Sequence, residues 1–166
     1  MRISNQFEVA QPVDKVWAFF GDVPQVAACL PGAQLTEELG DDTFGGGVSV
    51  RMGPVKLEFD GRARIVERDD TTKRMVIDAS GADRKGRGQA EMRVTAALAQ
   101  AGGGTRVDLD QDLQLSGAAA QYGRGMISDV TTVLMVQFAA NAQSRIAALE
   151  RGESPDAVAT SRPASG

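Results

Sequence analysis

The chain has 166 residues, a formal net charge of −4 and a pI near 4.9, which fits one domain with a real core and excludes a general phosphate-binding surface, so no nucleic-acid partner is expected. It holds no histidine and a single cysteine, Cys29, which excludes a Ser-His-Asp triad, a Cys-His pair, a histidine-ligated metal and an intrachain disulfide. The first residues show no apolar leader, and no stretch reaches the about 18 apolar residues of a membrane-spanning helix, so a soluble cytoplasmic protein is expected.

Ile3 to Val9 reads as a strand. Pro12 then opens a helix in which Val13, Val16, Trp17 and Phe20 recur at helical spacing, and Gly21 ends it. A second short helix, Val23 to Cys29, stops at Leu30-Pro31-Gly32, where proline sets one dihedral and glycine accepts positive φ. From there the period changes to two. Ala33 to Glu38 and Thr43 to Met52 are strands joined by Gly40-Asp41-Asp42, and the second carries Phe44, Val48, Val50 and Met52 on one parity. After Gly53-Pro54, Val55, Leu57, Phe59, Gly61, Ala63 and Ile65 share a face, with Lys56, Glu58, Asp60, Arg62 and Arg64 opposite. This alternation describes a sheet with one wet face. Met75, Ile77 and Ala79 continue the inner face, and Gly81 to Gly88 reads as a loop. Ala90, Met92, Val94, Ala96 and Leu98 form the next inner row. Gly102-Gly103-Gly104 leads to Val107, Leu109, Gln111, Leu113 and Leu115.

Gly117 to Leu149 reads as one long helix. Its apolar stripe is Ile127, Val130, Leu134, Phe138, Ala142, Ile146 and Leu149, widened by Met126, Val133 and Met135. Gln121, Ser128, Asp129, Thr132, Gln137, Asn141 and Ser144 are expected on a weakly charged outer face that a partner protein or lipid headgroups could cover. Glycine inside a helix costs about 1 kcal/mol, so Gly123 and Gly125 beside Tyr122 are expected to bend or open the helix, which makes Tyr122 to Gly125 the expected gate. Residues 1–150 form one domain. Residues 151–166, rich in Ala, Ser, Pro and Gly, are expected to be a disordered tail.

A strand, two short helices, six strands and a long helix make an α+β plan with an antiparallel seven-stranded sheet. The inner rows are built from Val, Ala, Met and Gly, and aromatics are 5% of the chain. Under one helix such rows either leave a void or pack as a tight core of small residues.

Few side chains point to chemistry. Asp41-Asp42 and Asp69-Asp70 sit in turns, where aspartate caps backbone N–H groups. Asp108, Asp110 and Asp112 share one strand face without calcium-loop spacing and are expected to pair with Arg93, Arg62 or Arg64. Gly45-Gly46-Gly47 predicts a bulge or bend within a strand. Gln111 interrupts an apolar row, so its amide must be bonded, either to a ligand's carbonyl or to water or backbone. Cys29 reads as a small buried apolar residue. No metal site and no acid–base pair stand out, which points to a non-catalytic protein.

Several short pieces then fall in a specific order: Phe7-Glu8-Val9 with Pro12, Val16-Trp17-Ala18-Phe19-Phe20, Cys29-Leu30-Pro31-Gly32-Ala33, Gly53-Pro54-Val55-Lys56, Phe59-Asp60-Gly61, and Gly117 with Gln121, Gly123 and Phe138. Together they span residues 3–149 and resemble the carbon monoxide dehydrogenase G-subunit family of the SRPBCC/START-like superfamily. The resemblance implies a helix-grip (START/Bet v 1-like) fold, a curved sheet around the long helix with an apolar cavity between them. That cavity would be lined by inner-row and stripe residues: Trp17, Phe20, Leu30, Val48, Val50, Met52, Leu57, Phe59, Met75, Ile77, Met92, Val94, Leu109, Gln111, Tyr122, Met126, Ile127, Val130 and Leu134. It further implies a cargo such as menaquinone or another lipid, no covalent cofactor, a partner of the CO dehydrogenase-type molybdenum hydroxylase class, and peripheral contact with the cytoplasmic membrane. Many members carry a longer C-terminal membrane-binding segment. Here the tail ends at Arg162-Pro163-Ala164-Ser165-Gly166, so the protein is expected either to work without that anchor or to be truncated. Two other functions fit the same fold: a polyketide-cyclase or hydratase enzyme using Tyr122, Gln111 or a buried carboxylate, and a docking protein that binds no ligand.

Overall fold

Strands joined by hairpins pair with their sequence neighbours, and six of the seven strands here are joined that way. The computed structural model describes residues 1–152. In chain order they form β1 (Arg2–Val9), α1 (Val13–Phe20), α2 (Val23–Cys29), β2 (Ala33–Gly40), β3 (Thr43–Met52), β4 (Val55–Asp69), β5 (Arg74–Asp83), β6 (Gln89–Ala101), β7 (Gly104–Ser116), a 3₁₀ turn (Gly117–Gln121) and α3 (Arg124–Glu150). The sheet is antiparallel throughout, in the order β1-β7-β6-β5-β4-β3-β2. The two short helices carry the chain from one edge strand to the other. The expected tail falls largely on residues 153–166, which lie outside the described residues, and Arg151-Gly152 is a turn after α3.

Local chemistry sets the element ends. Asp22 caps α2 by accepting the Gln25 N–H, with Pro24 in the first turn. Asp41 and Asp42 both take positive φ, 52° and 55°, as a two-residue type I′ hairpin requires. Asp69 Oδ1 accepts the Thr71 and Thr72 N–H groups. Asp70 does more than cap a turn: its Oδ1 accepts the indole N–H of Trp17 at 2.8 Å.

Two expected boundaries move. The span Gly81 to Gly88 is not all loop, because Gly81 through Asp83 still pair within β5. The last helix begins at Arg124, not Gly117. Gly117 takes φ +70°, and Tyr122 and Gly123 are extended at ψ 134° and 154°, so helical geometry cannot run through them. Gly123 is therefore the N-cap and Gly125 lies in the first turn, where neither bends a helix interior.

The sheet's shape follows from one cross-strand row. Gly46 of β3 pairs with Gly61 of β4, and Gly61 pairs with Gly81 of β5. Alternation with the buried Leu57, Phe59 and Ile65 puts Gly61 on the inner face. A Cβ on Gly61 would fall far inside 3.0 Å of the Ser80 carbonyl oxygen, and one on Gly46 far inside 3.0 Å of the Gln34 carbonyl oxygen. Neighbouring backbone thus occupies the space a side chain would need. The expected irregularity exists as well, but its extra residues belong to β2: Thr36 opposite Gly45-Gly46, and Leu39 opposite Thr43-Phe44.

The core consequently forms two clusters. One joins Val16, Phe19 and Phe20 of α1 and Cys29 of α2 to Ile65, Met75, Leu98, Val107 and the second half of α3 through Phe138, Ala142 and Ile146. The other gathers Ile3, Met52, Leu57, Phe59, Ala119 and Ile127 at the opposite end. There Asp83, with its side chain fully covered, accepts the Glu58, Lys85 and Arg87 N–H groups and the Arg87 guanidinium at 2.8 and 3.0 Å. The Arg87 carbonyl in turn accepts the Ala119 N–H, which fixes the 3₁₀ turn.

The expected arginine partners of the β7 aspartates are replaced. Asp110 takes Arg2, Asp108 takes Gln6 and Arg106, and Arg93 pairs instead with Asp78 at 2.7 and 2.8 Å. Strand order explains the loss of Arg62 and Arg64, because β1 and β6 rather than β4 flank β7. Arg93 stands in register with both Asp112 and Asp78 and bonds Asp78.

Two outcomes are expected from these features. Gly61→Ala should destabilise the protein by more than about 2 kcal/mol in urea unfolding, whereas Gly103→Ala, which meets nothing within 4 Å, should change stability little. The Arg87 guanidinium and the backbone N–H groups hold the Asp83 carboxyl well below its ordinary 3.8. A depressed folded value contributes stability above the unfolded value and loses it as pH falls. Asp83→Asn should therefore lower Tm at pH 7, and the gap to wild type should shrink as pH falls below about 4.

Candidate ligand-binding interior

The gap between the two clusters is where small side chains meet the middle of α3. On β4, Gly61 and Ala63 separate Phe59 of one cluster from Ile65 of the other. On β5, Ala79 and Gly81 lie beside them in register. Met92 of β6 pairs with Ala79, is half-buried and packs into neither cluster. A band of glycine and alanine thus crosses the inner face where the alternation alone would allow large residues.

Above this band α3 runs alongside β1. Ile127 shares a cluster with Ile3, and the Phe138 ring sits edge-on to Phe7 at 5.9 Å. Asn5 falls between those two levels, next to Gln111 of β7. Gln111 is 5% exposed, and its Nε2 donates to Asn5 Oδ1 at 2.8 Å. The amide partner is therefore a side chain on the neighbouring strand. A lone asparagine at an alternating position in a short strand carries no distinct sequence signal, so Asn5 stands out only once Gln111 is beside it.

An apolar groove of about 330 Å³ opens between the middle of α3 and the β3–β4 hairpin. Val50, Val130, Val133 and Leu134 line it, Pro31-Gly32 borders it, and Arg51, Lys56, Asp129 and Gln137 supply polar groups. This volume lies near the lower end for small-molecule pockets. On α3 the groove touches residues 129–137, C-terminal to the expected gate at Tyr122 to Gly125. A larger open depression of about 600 Å³ lies elsewhere, at Trp17, Gly21 to Pro24, Glu38, Phe44, Arg68 and Asp70. Its charged groups are partly engaged, since Asp70 holds Trp17 and Arg68 donates to the Gly21 carbonyl.

The residues expected to line one cavity divide into groups. Trp17, Phe20, Met75 and Leu109 are buried in the first cluster, with Leu30, Ile77 and Val94 packed against it. Met52, Leu57, Phe59 and Ile127 are buried in the second, with Val48, Val50, Tyr122 and Val130 packed against it. Gln111, Met92 and Leu134 lie at the gap or the groove. Met126 does not face the interior: it is 42% exposed, over Gly53 of the hairpin.

The helix face also differs from expectation. Asn141 is not on the outside; it is 1% exposed and donates to the Cys29 carbonyl at 2.9 Å. Arg145 is buried too, with Nε donating to Gln25. Helix α2 packs on this side of α3 and turns it inward. Gln121, Asp129 and Thr132 are exposed as expected, but they share the outside with Met126, Val133, Val136 and Ala140, Val133 and Val136 being 57% and 66% exposed. Leu149 at the helix end is exposed rather than part of the inward stripe.

Among the described residues, no group of three His, Cys, Asp or Glu side chains could hold a metal. No described helix is long and apolar enough to cross a membrane. The other buried polar groups have structural partners; Thr105, for example, donates to the Gln11 carbonyl.

The sequence profile of the carbon monoxide dehydrogenase G-subunit, CoxG, matches residues 6–147. The chain belongs to the CoxG family. No match to a curated protein is found. Among solved structures, a conserved protein from Geobacillus kaustophilus superposes with a TM-score of 0.79 at 19% identity, over 89% of this chain and 95% of that one. The Zhui aromatase/cyclase from Streptomyces sp. R1128 gives 0.61 at 18% identity, over 91% and 94%. Ara h 8.0201 gives 0.55 at 14% identity, over 89% and 98%. These likenesses establish the START/polyketide-cyclase-like fold of this CoxG family member.

The single thiol offers a direct check on the first cluster. Burial pushes the Cys29 thiol up to about 11, with the Arg145 guanidinium opposing that rise. Thiolate is the reactive form, so native protein at pH 8 should resist iodoacetamide, and urea-unfolded protein should be alkylated quickly, as mass spectrometry would show.

Proposed function

We propose that this CoxG family member is a non-catalytic carrier for an apolar, lipid-like molecule, an isoprenoid quinone such as menaquinone. In this reading the molecule sits between the sheet and α3, and the protein links a CO dehydrogenase-type molybdenum hydroxylase to the quinone pool at the cytoplasmic face of the membrane. The carrying observation is the split core: a glycine and alanine band under the middle of α3, with an apolar groove beside it. Family membership supports the choice of partner. Energetics are sufficient, since about ten buried carbons contribute about 8 kcal/mol, equivalent to micromolar affinity before the costs of ordering. A non-catalytic role is supported by the polar pair at the gap, two amides that do not titrate near neutral pH. The exposed Met126, Val133 and Val136 offer an apolar contact surface near the groove.

A cavity and a tight core of small residues respond oppositely to added volume. Ala63 and Ala79 face each other across β4 and β5 in the gap. In a packed core, Ala79→Leu would cost about 1–3 kcal/mol. In a carrier it should leave Tm unchanged or higher and abolish uptake of a short-chain menaquinone in equilibrium dialysis. Organic extraction of wild-type protein loaded from quinone-containing vesicles should recover the quinone. Wild-type protein that takes up none would overturn the carrier reading.

A further inference from the structure

We propose that Asn5 and Gln111 receive the hydroxyl of a bound amphiphile and select a hydroxyl head group over a carbonyl one. This deepens the carrier reading and rests on it. Gln111 is 5% exposed and lies on the inner face, flanked in register by Val94 and Ile3. Its Nε2 is engaged with Asn5 Oδ1 at 2.8 Å. Its Oε1 and the Asn5 Nδ2 have no hydrogen-bond partner among the described residues. Neither is sealed off, because no polar side-chain atom of the described residues is both buried and unbonded. One acceptor atom and one donor atom, on two side chains already bonded to each other, are therefore left over among apolar neighbours.

That complement does not depend on how the amides are turned. Rotating both exchanges the roles, so Asn5 donates and Gln111 accepts, and again one acceptor and one donor remain. A hydroxyl satisfies both, donating to the carbonyl oxygen and accepting from the amide N–H. A ketone or quinone oxygen accepts from the N–H but leaves the amide oxygen unpaired. Water can do what the hydroxyl does, so a hydroxyl replaces it with its hydrogen bonds kept, whereas a carbonyl does not. Position supports the same conclusion. The pair lies at the level of α3 between Ile127 and Phe138, where Val130 and Leu134 also border the groove.

The test compares three probes on the full chain: a short-prenyl naphthoquinone, its naphthoquinol kept reduced under anaerobic conditions, and the matching prenyl naphthalene without oxygen. Calorimetry reads affinity, and circular dichroism checks folding. Wild type should bind the quinol about three- to tenfold tighter than the quinone, the scale of one net hydrogen bond. Gln111→Met and Asn5→Leu should each bring that ratio close to one and leave the oxygen-free probe bound as before. A wild-type ratio near one with the oxygen-free probe bound overturns this proposal and spares the carrier reading. So does a ratio that persists in both variants. If no probe binds wild type, both fall. Should either variant fail to fold, the wild-type ratio and the other variant still decide.

Discussion

Close backbone approach at the Gly46–Gly61–Gly81 row is the constraint on which the rest of this molecule depends. Neighbouring carbonyls of Gln34 and Ser80 stand where Cβ atoms would project. The missing Cβ atoms of Gly46 and Gly61 let β2 approach β3 and β5 approach β4 this closely on the inner face. The same residues remove side-chain volume from the middle of the sheet. The large apolar groups are left at the two ends, one set with α1 and the other with the β3–β4 hairpin. Helix α3 ties the ends together, contributing Ile127 to one and Phe138, Ala142 and Ile146 to the other. Curvature, the divided core and the gap thus have one physical origin.

Buried polar groups show a matching division of labour. At the ends they fasten backbone: Asp83 gathers the β5–β6 turn, Asn141 holds the end of α2, and Thr105 holds Gln11. Each places its polar atoms on groups that must be satisfied anyway. The Asn5–Gln111 pair holds no turn and caps no helix. Two amides are costly in an apolar setting unless their remaining valences are met. Their place at the gap between clusters is what connects the carrier reading with a preference for one kind of head group.

The outward face of α3 has its own consequence. Packing of α2 against Asn141 and Arg145 rotates the helix so that Met126, Val133 and Val136 face outward. Exposed apolar residues at helical spacing beside an apolar groove make a contact surface different in character from a weakly charged polar face. In the carrier reading, any delivery step then falls on the α3 side of the molecule, where groove and stripe adjoin.

Much of the fold was legible in the chain. Period-two alternation marked the strands, Pro12 and Leu30-Pro31-Gly32 bounded the helices, and ordered short motifs pointed to the CoxG family that the profile match establishes. These signals are local, and local backbone preference is what produces them. The start of α3 was misread because the positive φ of Gly117 and the extended Tyr122-Gly123 come from anchoring the 3₁₀ turn on Arg87. Asn141 and Arg145 were misplaced because periodicity gives a helix a stripe but not the identity of every neighbour around it. Met126 followed the same error in the opposite direction. Asn5 drew no notice, since its meaning comes from Gln111, a residue distant in sequence. The sequence by itself determined which segments become strands and helices and which family they compose. Tertiary structure alone decided which glycines align into a row, which amides meet, and which face of α3 stays open, because each depends on strand order and register between distant segments.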